Sequence, residues 1–274
     1  MSKKHLLLSS ALTGSMAFAA NGWADQLPAD YVKMSGAFGG PYWEIVTGPS
    51  FSDGHPRGFL AGGVTYEQPF SGGTNWGVHG ELGLTYGENR LNETDHTFTG
   101  QGVLYLRDAM MGEIGVYGGV TTFHNSWSQT TTSFGVEGEY YLPRVTLGGA
   151  LGVQNDNQTH WVAQAGVSLY PTDNLKLTMS ALYEERGHAG ASFGVEYRPE
   201  YGAGFFYIPG TETTLFLNTT YSHQTAAIRA GLRWSWGGSG NSTLLYSDRH
   251  ERKNFYGTIL GSSGISPNDH LPFK

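Results

Sequence analysis

The chain has 274 residues, 39% of them hydrophobic and 14% charged, with 41 glycines, no cysteine and a formal net charge of −7. The missing cysteines exclude thiolate catalysis, cysteine-ligated metals and disulfide staples, and the acidic balance argues against nucleic acid as a partner. Beyond Ala24 no unbroken apolar stretch reaches the roughly 20 residues that a spanning helix needs, which excludes a helical membrane protein.

Lys3 and Lys4 precede an apolar run from Leu6 to Ala20, and the small-x-small sites Ala17-Phe18-Ala19 and Gly22-Trp23-Ala24 close the segment. This pattern predicts a secretory signal peptide over residues 1–24, cleaved after Ala24 so that the mature chain begins in polar sequence at Asp25.

Downstream, apolar residues recur at every second position along nearly the whole chain. The clearest stretch runs from Trp76 to Gly87, where Trp76, Val78, Leu82, Leu84 and Tyr86 share one face of a strand and His79, Glu81 and Thr85 the other. A two-residue period marks strands with two unlike faces. The first strand is expected from Tyr31 to Gly39, followed by a long loop from Gly40 to Pro56 that carries Trp43, Phe51 and Asp53. The second, Arg57 to Gln68, turns at Ser71–Thr74 into the third, which ends at Gly87. The fourth, His96 to Leu106, follows a polar loop from Glu88 to Asp95 and turns at Arg107–Gly112 into the fifth, Glu113 to Phe123. A Ser/Thr/Gln/Asn-rich loop through Thr131 leads to the sixth, Ser133 to Leu142, and Pro143-Arg144 turns into the seventh, Val145 to Val153. Gln154–Thr159 joins it to the eighth, His160 to Leu169. Pro171–Asn174 then turns into the ninth, Leu175 to Tyr183, and the tenth is Ala191 to Tyr197. The eleventh, Thr213 to Ser222, and the twelfth, Ala226 to Trp236, lie beyond a longer segment, Arg198 to Glu212, that breaks a run of short turns on its side.

Aromatic residues fall near strand ends in this register. Tyr86, Phe98, Trp161, Tyr183, Phe193 and Tyr221 collect at one rim, and Trp76, Tyr140, Tyr197, Trp234 and Trp236 at the other. Two girdles and alternating faces predict an all-β fold, a transmembrane antiparallel up-and-down β-barrel of about 12 strands over residues 25–236. Its expected place is the outer membrane of a Gram-negative bacterium, in contact with lipid and lipopolysaccharide. Short connections would be periplasmic, longer loops extracellular, and an even strand count would return both barrel ends to the periplasm.

The segment Arg229 to Trp236 resembles the β-signal of bacterial outer-membrane barrel proteins, with a polar residue (Arg229), a glycine two later (Gly231), and apolar or aromatic residues at alternate positions ending in Trp234 and Trp236. At the level of architecture the resemblance covers about residues 30–236, and it implies recognition by the barrel-assembly machinery. One departure is plain, because the β-signal usually closes the chain and here residues 237–274 continue. This C-terminal tail is open to three readings: a plug folded into the lumen, a periplasmic extension that contacts a partner, or a flexible segment behind the linker Gly237–Gly240.

Residues of opposite parity point inward and form a hydrophilic lining of mixed sign: Lys33, His79, Glu81, Gln101, Glu113, Glu137, Glu139, His160, Gln164, Lys176, Glu196, Asn218, Arg229 and Arg233. Of these, Glu81, Gln101, Glu137, Glu139, Gln164, Lys176, Glu196, Asn218, Arg229 and Arg233 are the candidate pore-lining set. In a twelve-strand ring the sixth strand faces the twelfth, which would set Glu137 and Glu139 across from Arg229 and Arg233 in a transverse field. Alternatively the charges pair and fill a narrow barrel. The leading expectation is a narrow channel for small polar solutes, without cofactor, metal or catalytic residues. Alternatives are a non-enzymatic component of an export or surface-polymer system, binding a partner through its loops and tail, and a lipid-active enzyme. For the last, His124-Asn125-Ser126 resembles the His-x-Ser order of outer-membrane lipid A deacylases, but Trp127 and Ser128 replace the expected Asn and Gly and no acid is placed to complete a relay. His188, His223 and His250 read as solvated loop histidines, and Asp53, Glu88, Glu93, Asp95 and Asp156 as solvated loop acids. Gly62-Gly63 and Gly118-Gly119 read as strand glycines rather than phosphate cradles.

Overall fold

The computed structural model describes residues 40–52, 55–70, 75–88, 94–124, 128–185, 189–199, 208, 210–222, 225–237 and 243–250. Twelve strands run in chain order: β1 (Gly40–Ser52), β2 (His55–Pro69), β3 (Asn75–Glu88), β4 (Thr94–Asp108), β5 (Gly112–His124), β6 (Ser128–Leu142), β7 (Val145–Asn155), β8 (Thr159–Thr172), β9 (Leu175–Glu184), β10 (Ala189–Tyr197), β11 (Glu212–Ser222) and β12 (Thr225–Gly237). A short helix, α1 (Leu244–His250), follows them. Each strand pairs antiparallel with the next. β12 then pairs with β1, from Tyr42 opposite Gly237 to Ser52 opposite Ala227, and closes the ring. Hydrocarbon supplies no hydrogen-bond partner, so only a closed ladder can satisfy every backbone group of a sheet within it.

The two faces of each strand are inverted relative to a soluble protein. On β3, Asn75, His79, Glu81 and Thr85 are buried while Val78, Leu82, Leu84 and Tyr86 are exposed. The same holds around the ring, where Leu60, Leu104, Ile114, Val136, Leu151 and Ile228 stand on the outer surface and Glu67, Gln101, Glu137, Lys176, Glu196 and Arg233 are shut inside. Polar inside and apolar outside is the construction of a transmembrane β-barrel. Aromatics mark both margins of the outer band. Tyr86, Phe98, Trp161, Tyr183, Phe193 and Tyr221 are exposed near one end, and Trp43, Tyr66, Tyr140, Tyr197 and Trp236 near the other. Trp161 and Tyr183 pack at 5.4 Å between ring centroids, and Tyr66 and Trp76 at 6.3 Å.

The strand count agrees with the periodicity, but the first strand does not. The strand expected from Tyr31 to Gly39 lies outside the described residues, and the loop expected from Gly40 to Pro56 is β1 together with the start of β2. Pro41, Pro49 and Pro56 suggested a loop because proline removes a ladder donor. Here the β1–β12 pairing skips Gly48 and Pro49, between Thr47 opposite Leu232 and Ser50 opposite Arg229, and the irregularity accommodates the ring. β6 also starts earlier than expected, at Ser128, and β8 continues through Thr172.

Loop length does not orient the barrel as expected. Connections at the end away from the barrel's two termini span two to five residues, and the longest connection, fourteen residues over 198–211, lies at the end where β1 begins and β12 stops.

Glycines on the inner wall make room for rings. Tyr117 lies across Gly135 and Gly152, and a Cβ at Gly135 would stand 2.7 Å from its Cζ. Tyr105 covers Gly77 in the same way, 2.5 Å from the position of an added Cβ.

Candidate functional site: the lumen and the helix at its mouth

At the end of the barrel that carries α1, the inner wall is tied by two sets of ion pairs. In the first, Arg107 of β4 reaches Glu67 of β2 at 2.7 Å and Glu113 of β5 at 2.9 Å. Tyr105 donates its hydroxyl to Glu67 at 2.7 Å and Asn75 donates to its other oxygen at 3.1 Å, so four adjacent strands are laced together. In the second, Arg233 of β12 lies 2.6 Å from Glu196 of β10 and 3.5 Å from Glu44 of β1, and Lys176 of β9 is 3.7 Å from Glu196. Charges as deeply enclosed as these need partners, because removing an ion from water costs several kcal/mol that only close pairing returns.

At mid-depth, Gln101 donates to Glu81 at 2.7 Å, His79 Nε2 is 3.9 Å from the same carboxylate, and Thr65 Oγ1 shares a hydrogen bond with His79 Nδ1 at 2.6 Å. Phe59 and Phe216 meet at 5.9 Å, with the Arg229 guanidinium over the first ring and that of Arg233 over the second. Toward the far end hydroxyls take over. Thr99 and Thr121 bond at 3.1 Å and Ser180 and Ser192 at 2.7 Å, and His160 Nε2 sits 3.1 Å from Glu184.

α1 closes on the ion-paired end. Its first turn is capped by Thr243, whose hydroxyl accepts the Tyr246 N–H at 3.2 Å and whose carbonyl accepts that of Ser247 at 2.9 Å. Leu244 and Leu245 are buried, and their N–H groups bond the Asn174 side chain at 3.2 Å and the Asp173 carbonyl at 2.9 Å in the β8–β9 turn. Asp248 lies 2.9 Å from Lys176 Nζ and accepts the Tyr170 hydroxyl at 2.8 Å. Ser247 receives Arg198 at 3.2 Å and lies 3.4 Å from the Tyr42 hydroxyl. Arg249 donates to the carbonyls of Leu142 at 2.6 Å and Val145 at 3.3 Å and covers the rings of Tyr141 and Tyr170. His250 stacks on Tyr246 at 4.3 Å. Burial, with Arg107 and Arg249 nearby, pushes its imidazole down to about 4.

Of the candidate lining set, Glu81, Gln101, Glu137, Glu139, Lys176, Glu196, Asn218, Arg229 and Arg233 are buried on the inner wall and Gln164 is half-buried there, while Lys33 lies outside the described residues. β6 does stand opposite β12 in the ring, but Arg233 does not face Glu137 and Glu139 as an open charge. It is held by Glu196 and Glu44, closer along the wall. Of the residues of the apparent β-signal, Arg229 is buried on the inner wall of β12, Gly231 lies beneath the Phe216 ring, and Trp236 is exposed. His250 is a buried helix residue, not a solvated loop histidine. His124 bonds Ser128, Ser126 lies outside the described residues, and so do His188 and His223. Among the described residues, no group of three or more histidines and carboxylates is placed to hold a metal.

Sequence reasoning missed Tyr42, Glu44, Glu67, Tyr105, Arg107, Tyr141, Tyr170 and Arg198 as lining residues. Parity would have found several, since Arg107 continues the inward series of Gln101, Val103 and Tyr105, and Glu67 that of Gly63 and Thr65.

No protein-family model and no curated protein sequence matches the chain. Among solved structures it is similar to the KdgM porin (8% identity, TM-score 0.47, 71% of this chain and 99% of that one). It is also similar to the translocator domain of the autotransporter NalP from Neisseria meningitidis (13%, 0.45, 82% and 98%) and to an outer membrane channel from Pseudomonas putida F1 (10%, 0.45, 78% and 98%). At these values the likeness is that of one barrel to another.

Proposed function

We propose that the chain is an outer-membrane barrel that passes small polar solutes through a narrow lumen, and that α1 closes that lumen at its periplasmic mouth. The observation that carries this reading is the lining itself. An inner wall built from carboxylates, guanidiniums, amides and hydroxyls is of the polar kind that lines water-filled pores, and this supports the channel reading. The α1 end is assigned to the periplasm because both ends of an even-stranded barrel belong there. In the same reading, β12 with Arg229, Gly231, Trp234 and Trp236 is the strand presented to the barrel-assembly machinery, and the outer band contacts lipid and lipopolysaccharide.

The test is conductance of the refolded chain in planar bilayers, compared with a chain ending at Gly237. The full chain is expected to be nearly silent and the shortened one to conduct, with ion selectivity that changes in Arg229→Ala and Glu137→Ala. Silence of both forms overturns the channel and favours the second reading, a barrel that binds an export or surface-polymer partner through its loops and tail.

A further inference from the structure

α1 places two opposite charges side by side, and the barrel wall receives each with a different chemistry. Asp248 is met by the Lys176 ammonium and the Tyr170 hydroxyl, at 2.9 and 2.8 Å. Arg249 is met by the carbonyls of Leu142 and Val145, with the rings of Tyr141 and Tyr170 5.0 and 5.8 Å from its guanidinium carbon. All of these receiving groups belong to the barrel and none to the helix. Together they form an anion subsite and a cation subsite that share Tyr170. Glu196 stands 3.7 Å from Lys176, beside the anion subsite.

Docking alone does not call for such a seat. Leu244 and Leu245 already give the helix apolar anchorage, and buried ion pairs are commonly no more stabilising than well-packed apolar groups of similar size. A charged seat in a lumen mouth instead suits a solute that carries both charges, and the helix then occupies it with its own Asp-Arg pair.

We propose that the seat of α1 is a binding site for small basic zwitterions of the amino-acid type. The solute carboxylate would take the place of Asp248 on Lys176 and Tyr170, and its side-chain cation the place of Arg249 between Tyr141 and Tyr170. Because solute and helix compete for one seat, binding releases α1. This rests on the reading of α1 as the closing element.

The chain has no cysteine, so Tyr246→Cys in the full-length protein gives a single labelling position on α1, and its fluorescence reports docking. L-Arginine is expected to undock the helix saturably. Argininamide, which lacks the carboxylate, and acetate, which lacks the cation, are expected to leave it docked at the same concentration. Asp248→Asn weakens the internal competitor and lowers the arginine midpoint about tenfold. Lys176→Gln abolishes arginine binding in calorimetry, whether or not it loosens the helix. Equal potency of arginine and argininamide overturns the proposal, and so does an unchanged midpoint in Asp248→Asn. The two readings fail separately. A shortened chain that conducts, with no arginine response in the full one, removes the seat and keeps the channel, whereas arginine release of α1 without conductance removes the channel and keeps the seat.

Discussion

The two ends of the barrel are lined by different chemistry. At the α1 end, long charged side chains reach across neighbouring strands and fix one another, as Arg107 does with Glu67 and Glu113 and Arg233 with Glu196 and Glu44. At the far end the buried wall is mostly short hydroxyls, among them Thr85, Thr97, Thr99, Thr121, Ser133, Ser192 and Thr220. Short uncharged groups lose little when water is admitted between them. Paired charges are bound to a single arrangement, because each left alone carries a large desolvation cost. The difference places the more rigid wall at the α1 end.

The sharpest way to break this contrast is to remove Arg107. Arg107→Met leaves Glu67 and Glu113 enclosed without their cation, and the expected loss is about 3–5 kcal/mol, read as a lower midpoint of urea unfolding in detergent. At the far end, Thr99→Val removes one partner of the Thr99–Thr121 bond and is expected to cost only about 1 kcal/mol. Comparable losses at the two ends would dissolve the distinction.

Acidification sharpens the comparison from the side of α1. Docked, His250 is held neutral with its imidazole near 4, against an ordinary value of 6.5. The undocked helix therefore binds the proton more readily, and His250's contribution is fully present above pH 6.5 and is lost as pH falls from there toward 4. The groups facing it are Arg107, itself held by Glu67 and Glu113, together with Arg249 and Tyr246 of α1. The difference corresponds to at most about 3 kcal/mol of docking free energy. The full-length chain is expected to conduct more at pH 4.5 than at pH 7.5, and His250→Gln to flatten that rise. An unchanged pH response in His250→Gln would assign it to another group.

How much of this was legible follows from what each face must satisfy. The outer face answers to lipid alone, so alternation and rim aromatics such as Trp161 and Tyr183 located strands and margins without knowledge of their neighbours. The inner face answers to partners. Parity turned Glu196 and Arg233 inward, but nothing in their spacing joined them, since they meet across β11 through the combined registers of the β10–β11 and β11–β12 pairings. Glu44 was hidden because Pro41 and Pro49 made β1 look like a loop. α1 is seven residues long, too short to show a helical period or to be stable by itself. Its order comes from Asp173, Asn174, Lys176 and Tyr170, residues far away in sequence.

The glycines beneath the rings give the finest test, because they ask whether the α1 end tolerates one added methyl group. At Gly77 a Cβ would stand 2.5 Å from Tyr105 Cζ and 2.6 Å from its hydroxyl oxygen, and that hydroxyl is bonded to Glu67 at 2.7 Å. Gly77→Ala can be accommodated only by moving the ring, which pulls a donor away from the Glu67–Arg107 set. The expected cost is about 1–3 kcal/mol, the usual range for overpacking. At Gly58, on the outer face near the far end and beneath no ring, the nearest atom to an added Cβ is the Tyr86 carbonyl oxygen at 3.9 Å, an ordinary contact. Gly58→Ala is expected to leave the unfolding midpoint within about 0.5 kcal/mol of the parent. Combining Gly77→Ala with Tyr105→Phe then separates the two contributions. If the loss at Gly77 arises through the displaced hydroxyl, the double variant falls well short of the sum of the singles. If it arises from ring crowding alone, the two costs add, and the charged set is indifferent to Tyr105.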